Sequence, residues 1–368
     1  MKEKIRIMYI ANDLTVGGAE EIYLLLSKYL NRKFELLFVV IGEKGEIGKE
    51  IEKHSRIIVL NLPSRSISFK NKLKAVVRIS RICRNFRPDL IHSQLWTGNT
   101  IARIVGILTG TPNIIAEQNV YLDRNKIRLI IDKILSYHTK KIIAVSEPVK
   151  DFILQKQKIS EKKVRIIHNS FDQSKFKIEK SKKFRKELGI KNDFPVVVSV
   201  GMLGRLKNQR IILEALSNVT LGFTLLFLGD GPEKDNLKEL ARELKLNDKV
   251  KFLGWRRDVS NVLNASDIFV LSSYTEGLSL SLMEAMFMKK VCLVSNIKSN
   301  KVLINKKNGF LFSPDEPNEL SEKINFVLDN RRLWGKYGES AKETIIKKFS
   351  IQKMIDKYEK LYIKTANF

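Results

Sequence analysis

Cysteine, proline and long apolar runs are all scarce in this sequence. Its 368 residues include two cysteines, eight prolines and 19 glycines, which excludes a collagen-like chain and the disulfide framework of a small secreted domain. No run reaches the roughly 18 apolar residues that span a bilayer. We therefore expect a globular protein of a reducing cytosol, with no signal peptide before the first apolar run at Ile5.

Acidic residues are also few compared with basic ones. The chain has 67 lysines and arginines against 40 aspartates and glutamates, a formal net charge of +27. From Lys53 to Pro88 there are ten basic residues and no acid. A lysine-rich solvated surface is the ordinary explanation, but such a surface usually mixes acids with bases. The acid-free stretch therefore predicts a surface that meets an anion: nucleic acid, anionic lipid or a phosphorylated substrate.

The spacing within Asn71–Arg84 predicts an amphipathic helix in this stretch. Apolar or small residues three and four positions apart predict its buried face: Leu73, Val76, Val77, Ser80 and Cys83. The basic residues that we expect to meet an anionic surface are Lys70, Lys74, Arg78, Arg81 and Arg84. Basic and apolar groups together are typical of a membrane-surface element, but a nucleic-acid reader would also be basic, so both remain open.

Strand candidates alternate with helical patterns, which predicts an α/β protein with parallel sheets. The first series comprises residues 4–11, 34–41, 56–61, 89–93, 112–117, 141–146 and 164–168. A second series comprises residues 196–200, 225–228, 250–253, 268–271 and 291–294. Two series predict two domains, and the polar run Ser170–Asn192 is the best linker. Ligands of such sheets bind at the carboxyl ends of the strands, so the loops after strands carry the candidate sites.

Two of these loops contain groups suited to phosphate. Gly17 and Gly18 follow the first strand and open the first helix, where paired glycines allow close backbone approach and free N–H groups face an anion. A tight turn explains them equally well. Arg205 and Lys207 follow the first strand of the second series, where a bound anion would lie, although two solvated bases on a loop are the alternative.

The most informative segment is Asp267–Met286, which predicts a strand, a loop and a helix that starts near Ser279. Glu276 lies in the loop, and Glu284 lies eight residues later in the helix. Carboxylates accept hydrogen bonds from vicinal sugar hydroxyls, while N–H groups at a helix start suit a diphosphate. The segment therefore predicts a cradle for a nucleotide sugar, formed by Glu276, Gly277, Leu278, Ser279, Leu280 and Glu284.

This segment resembles the Glu-(seven residues)-Glu motif of the retaining GT-B glycosyltransferases of family four. Further patterns of that family are matched in the same order by Gly17–Glu20, Pro88–Ser93, Val145-Ser146, His168–Asp172, Leu206–Asn208, Phe252–Gly254 and Asn308–Leu311. The chain departs from the family where Met202 replaces a frequent arginine, for which we expect Arg205 to compensate.

The resemblance implies two Rossmann-like domains that face a cleft. Residues 1–175 would bind the acceptor and residues 190–345 the nucleotide sugar, with a terminal helix at about 350–368 packing back on the first domain.

It also implies roles for individual residues. Lys207, with Arg205, would neutralise the diphosphate; Glu284 would accept from the ribose, and Glu276 would position the transferred sugar. Gly17 and Gly18 would close over the phosphates, and His92 would line the acceptor side. Glu276, His92 and Lys207 are thus the expected catalytic residues.

The implied reaction is the transfer of a hexose or N-acetylhexosamine with retention of configuration, from a UDP-sugar by preference or a GDP-sugar. The acceptor would be a polyprenyl-diphosphate-linked glycan of a bacterial surface polysaccharide (O-antigen, capsule or lipopolysaccharide) at the inner face of the plasma membrane. Because the sequence contains no Asp-x-Asp, we expect no metal and no cofactor. A sugar-nucleotide epimerase of the same fold and a non-catalytic protein that binds nucleic acid or membrane remain the alternatives.

Overall fold

The computed structural model describes residues 4–15, 17–63, 68–121, 125–179, 182–191 and 194–366. It divides into two units: the first runs to Phe171 and takes in the chain from Ile351 onward, and the second is Asp172–Ser350. None of the helices in the described ranges is both long and apolar enough to cross a bilayer.

Each unit is built on a parallel sheet. The strands of the first are β1 (Ile5–Ala11), β2 (Phe34–Val40), β3 (Arg56–Val59), β4 (Leu90–Gln94), β5 (Asn113–Glu117), β6 (Lys141–Ala144) and β7 (Val164–Ile166). Those of the second are β8 (Val196–Val200), β9 (Thr224–Leu228), β10 (Val250–Gly254), β11 (Ile268–Leu271), β12 (Val291–Ser295) and β13 (Phe310–Phe312). The sheet orders are β3-β2-β1-β4-β5-β6-β7 and β10-β9-β8-β11-β12-β13. The predicted α/β class with two Rossmann-like sheets is confirmed, and β13 is a strand that the sequence reading missed.

Helices connect the strands of both sheets. In the first unit they are α1 (Gly18–Tyr29), α2 (Gly45–Glu52), α3 (Phe69–Phe86), α4 (Trp96–Thr109), α5 (Lys126–Ser136) and α6 (Glu147–Gln155). In the second they are α7 (Lys182–Glu187), α8 (Arg210–Ser217), α9 (Lys234–Glu243), α10 (Val259–Ala265), α11 (Leu280–Phe287), α12 (Lys298–Lys301), α13 (Pro317–Asp329) and α14 (Trp334–Lys348). The last helix, α15 (Ile351–Thr365), belongs to the first unit.

The core of the first unit has a layer on each face of its sheet. Successive side chains of a strand point to opposite faces, so Ile7 and Tyr9 of β1 pack with α1, α2 and α15, while Met8 and Ile10 pack with α3 and α4. Strands buried on both faces are continuously apolar rather than alternating, as β1 is from Ile7 to Ala11, after the exposed Arg6.

The buried face of α3 differs from the predicted one. Ala75, Val76, Ile79, Ser80 and Cys83 face the core. Leu73 and Val77, which the spacing assigned to the core, are 57% and 43% exposed. The reason is that the core contacts only one side of the helix, so two of its apolar residues are left on the outside.

Candidate active site

An ion pair joins two loops at the carboxyl edge of the second sheet. β8 and β11 are neighbours, so the short 3₁₀ turn Arg205–Lys207 after β8 meets the loop after β11. Lys207 Nζ lies 2.6 Å from Oε1 of Glu276. The Glu276 side chain is 7% exposed and that of Lys207 is 29% exposed. The two charges are therefore held together at the rim of the sheet, with the lysine on the more open side.

Hydroxyl groups fix this pair in place. Ser273 Oγ donates to Oε1 of Glu276 at 2.6 Å, and the Ser299 hydroxyl donates to the Glu276 main-chain carbonyl. Ser272 Oγ donates to the carbonyl oxygen of Lys207 at 2.8 Å. Glu276 Oε2 makes no hydrogen bond to the described residues, so this oxygen can accept from a ligand hydroxyl.

The helix after Glu276 supplies free N–H groups. Ser279 caps α11 by accepting a hydrogen bond from the Leu282 N–H at 3.3 Å. Within the described chain, the N–H groups of Leu278, Ser279 and Leu280 have no acceptor. Free N–H groups at the positive end of a helix dipole favour an anion, and diphosphate binding by these groups stays a prediction. Gly277 is buried beside them, and Glu284 is half-buried on α11.

Tight backbone packing shapes the loop that carries Arg205 and Lys207. A Cβ added at Gly229 would lie 2.0 Å from the Gly201 carbonyl oxygen, so the loop after β9 approaches this loop as only glycine allows. The Asn208 side chain donates to the carbonyl of Pro314 at 2.7 Å and holds the end of the turn. Arg205 is exposed and makes no ion pair among the described residues, so its guanidinium is available to an anion.

In the first unit, the glycine loop already has a carboxylate beside it. Gly17 precedes α1 with extended backbone, and a Cβ there would lie 2.2 Å from Oε2 of Glu20. Burial, then the charges of Asp13 and Glu21, raise the pKa of Glu20. Gly18 is exposed at the first position of α1. Contact between these glycines and donor phosphates stays a prediction, and Glu20 is a competing anion at the same helix end.

His92 lies inside the first unit. Its ring is fully buried, and its Nδ1 is 2.7 Å from the hydroxyl of Tyr362 on α15. Tyr9, Tyr23 and Tyr358 surround the ring. Burial lowers the pKa of His92 to about 3, so the ring is neutral at pH 7. The structure thus gives His92 a packing role with no exposed surface, and its part in transfer stays a prediction.

The sequence reading missed a row of buried amides at the carboxyl edge of the first sheet. Asn169, after β7, donates to Oε1 of Gln118 at 2.8 Å, and Gln118, after β5, donates to Gln94 at the end of β4. All three are less than a tenth exposed. Gln94 Nε2 and Asn169 Oδ1 are buried and have no hydrogen-bond partner among the described residues. The available signal was that all three directly follow the predicted strands 89–93, 112–117 and 164–168.

Two family descriptions match almost consecutive parts of the chain. "Glycosyltransferase Family 4" matches residues 16–175, and "Glycosyl transferases group 1" matches residues 180–344.

Curated relatives match over most of their length. The UDP-Gal:alpha-D-GlcNAc-diphosphoundecaprenol alpha-1,3-galactosyltransferase of Escherichia coli is 26% identical over 98% of this chain and 97% of its own. The N-acetylgalactosamine-N,N'-diacetylbacillosaminyl-diphospho-undecaprenol 4-alpha-N-acetylgalactosaminyltransferase of Campylobacter jejuni is 25% identical over 89% of this chain and 91% of its own.

Among solved structures, Anabaena HepE in complex with UDP and glucose superposes with a TM-score of 0.87 at 22% identity. The match covers 97% of this chain and 99% of that one. At this identity the likeness shows the fold.

Proposed function

Because the chain belongs to the family-four glycosyltransferases with the GT-B fold, we propose that it moves a hexose or N-acetylhexosamine from a nucleotide sugar to a lipid-linked glycan, with retention of configuration. The observation that carries the proposal is the Lys207–Glu276 pair beside the free N–H groups at the start of α11. At this edge of the sheet, the cation and three N–H donors complement the negative diphosphate of a nucleotide sugar. The open carboxylate oxygen can accept hydrogen bonds from the sugar hydroxyls.

Each group has a defined task in the proposed reaction. Lys207 and Arg205 neutralise the diphosphate, together with the N–H groups before α11. Glu276 positions the sugar through Oε2, and Glu284 accepts from the ribose. The acceptor hydroxyl attacks from the face of the leaving group, and the departing phosphate takes its proton. Preformed charges of this kind stabilise the leaving group without a metal ion.

The donor nucleotide is proposed to be UDP, with GDP as the second choice. Support comes from the name of the E. coli relative, which specifies UDP-Gal, and from the HepE complex with UDP. A screen of UDP- and GDP-sugars for thermal stabilisation identifies the donor, because a bound ligand raises the melting temperature by mass action.

The acceptor is proposed to be a polyprenyl-diphosphate-linked glycan in bacterial surface polysaccharide synthesis. The names of both relatives contain a diphosphoundecaprenol acceptor. We place the enzyme peripherally on the inner face of the plasma membrane, with Lys70, Lys74, Arg81 and Arg84 of α3 exposed toward anionic lipid. The Arg78 guanidinium donates to the Leu60 carbonyl at 3.0 Å, so this arginine is less free to meet lipid than the others.

The first prediction concerns the ion pair. Lys207→Ala and Glu276→Ala should each lower the rate of sugar transfer at saturating donor by about a hundredfold or more, since each removes a charge that is aligned before reaction. Release of the nucleoside diphosphate in the presence of acceptor measures the rate.

The matched control is the surface pair of Lys289 and Glu339 in the same unit, whose alanine variants should keep the wild-type rate. The proposal is wrong if both Lys207→Ala and Glu276→Ala also transfer sugar at the wild-type rate. Formation of an epimerised sugar nucleotide from donor alone would instead favour an epimerase.

A further inference from the structure

Helix α5 and the residue directly after it carry a stripe of exposed apolar side chains on the side opposite the core of the first unit. Ile127, Ile130, Ile134 and Tyr137 are 63%, 58%, 58% and 72% exposed. Their spacing of three, four and three residues places them on one side of the helix. A soluble protein usually buries such a stripe in its core, so the exposed stripe of α5 indicates an interaction site.

A buried ion pair fixes the stripe in its outward position. Asp132 lies on the opposite side of α5, and its Oδ1 is 3.0 Å from a terminal nitrogen of Arg103 on α4. Both side chains are fully buried, and Arg103 also donates to the Asp132 carbonyl at 3.1 Å. Rotating α5 to bury its isoleucines would break this pair and leave buried charge uncompensated.

The stripe is part of a larger surface that includes α3. Trp96, at the start of α4, lies between Arg128 of α5 and Lys72 of α3, whose charges are 4.5 and 5.2 Å from its ring centre. On α3 a second exposed apolar stripe is formed by Phe69, Leu73 and Val77. We call the exposed side chains of α3 and α5 the α3–α5 face.

The charge of this face is of one sign. Across the ranges of α3, α4 and α5 the sequence has a single acid, and that acid is the buried Asp132. The exposed bases are Lys70, Lys74, Arg78, Arg81, Arg84, Lys126, Arg128 and Lys133. A second copy of the chain would bring these like charges together, and nucleic acid offers the isoleucines no apolar surface outside its base stack. An anionic bilayer supplies both an acyl boundary and negative headgroups.

We propose that α5 is a membrane-anchoring helix that lies in the plane of an anionic bilayer, with Ile127, Ile130 and Ile134 among the upper acyl carbons and the bases of α3 against the headgroups. This deepens the proposed function, on which it rests for the reason to be at a membrane, namely a lipid-linked acceptor. The lipid contact itself is measured without any sugar transfer.

The first test removes the apolar stripe. Ile127→Gln/Ile130→Gln/Ile134→Gln should weaken sedimentation with vesicles of phosphatidylcholine and roughly one third phosphatidylglycerol by about tenfold or more. These side chains are exposed, so the fold should be unaffected. The matched control is Ile178→Gln/Leu221→Gln/Ile346→Gln, three exposed apolar residues of the second unit, which should bind vesicles as the wild type does. Equal binding by both triple variants would overturn the proposal.

The second test measures depth. Cys83 and Cys292 are buried, so a cysteine introduced as Ile130→Cys can be labelled selectively with an environment-sensitive fluorophore. Vesicles should shift its emission to the blue, and lipids brominated on the acyl chain should quench it. The same label at Ile346→Cys should do neither. A label at position 130 that stays in water on bound vesicles would overturn the insertion of α5.

Donor-induced thermal stabilisation and transfer to a short-chain, water-soluble acceptor separate this inference from the proposed function. Both should be unchanged in the α5 triple variant. If no sugar is transferred but the label at position 130 inserts, the function fails and the membrane anchor stands. If transfer is seen but the label stays in water, the anchor alone fails. A wild-type dimer that the glutamine variant converts to a monomer would assign the face to a second copy and overturn the proposal.

Discussion

His92 shows how much the surroundings decide the chemistry of one residue. The ring lies among four tyrosines in the first unit, and its Nδ1 is 2.7 Å from the Tyr362 hydroxyl. An imidazole without water around it resists protonation, which is why its pKa falls to about 3 from 6.5. This residue therefore links the stability of the first unit to pH.

The direction of that link follows from the two pKa values. Because the folded value is the lower one, the unfolded chain binds the proton first, and unfolding becomes easier as pH falls from 6.5 toward about 3. In His92→Phe this contribution is absent. Urea titration measures the free energy of unfolding of both proteins. The value for wild type minus the value for the variant should fall by about 2 kcal/mol between pH 7 and about pH 4.5. A difference that is the same at both pH values would contradict the burial of an unprotonated His92.

Glu276 is a residue whose setting comes from distant parts of the chain. Its partners Lys207 and Ser299 lie 69 and 23 residues away. The sequence pattern predicted that Glu276 lies in the loop after a strand. Lys207 and Ser299 reach Glu276 only because β8, β11 and β12 are neighbours in the sheet.

At the scale of elements, α3 illustrates the limits of a helical pattern. Its core-facing residues include Val76 and Ile79, while Leu73 and Val77 point outward. Apolar residues of α3 occur on both its core-facing and its outward-facing side, so their spacing alone fits either side as the buried one. The packed neighbours choose between them.

This assignment predicts unequal effects of mutation along one helix. Ile79→Ala should lower the free energy of unfolding by about 2–5 kcal/mol, since it opens a cavity in a fully packed site. Leu73→Gln should change it by about 0.5 kcal/mol or less, because the side chain is already in water. Urea titration of both variants measures the difference. A loss of stability in Leu73→Gln as large as in Ile79→Ala would show that the outward face of α3 is wrongly assigned.

At the scale of the whole molecule, the chain crosses between its units twice. It leaves the first unit after Phe171 and returns at Ile351. The returning helix α15 buries Met354, Ile355, Tyr358, Leu361 and Tyr362 in the core of the first unit. A core built from segments this far apart in sequence forms only after both have been synthesised.

Removal of residues 351–368 should therefore unfold the first unit selectively. We expect the amides of β1, β2 and β4 to lose protection from hydrogen exchange, while those of β8, β9 and β11 keep theirs. Gln352→Ala/Lys357→Ala, two exposed changes on α15, is the control and should leave both units protected. Loss of protection confined to the second unit would contradict the placement of α15.

The α/β class, most strands and the motif around Glu276 were readable from the sequence by itself. Parallel strands are buried on both faces and so appear as short apolar runs, and the loops that follow them carry the reactive groups. These patterns involve residues that are close together in the chain, so they can be recognised in the sequence alone.

The tertiary structure alone decided which side of α3 is covered, that α5 turns its isoleucines outward, that His92 is buried under α15, and that Gln94, Gln118 and Asn169 form one row. The physical reason is common to all four. Local sequence patterns indicate which residues tend to be buried, but the residues that pack against them lie far away in sequence. Examples are Arg103, which pairs with Asp132, and Tyr362, which contacts His92.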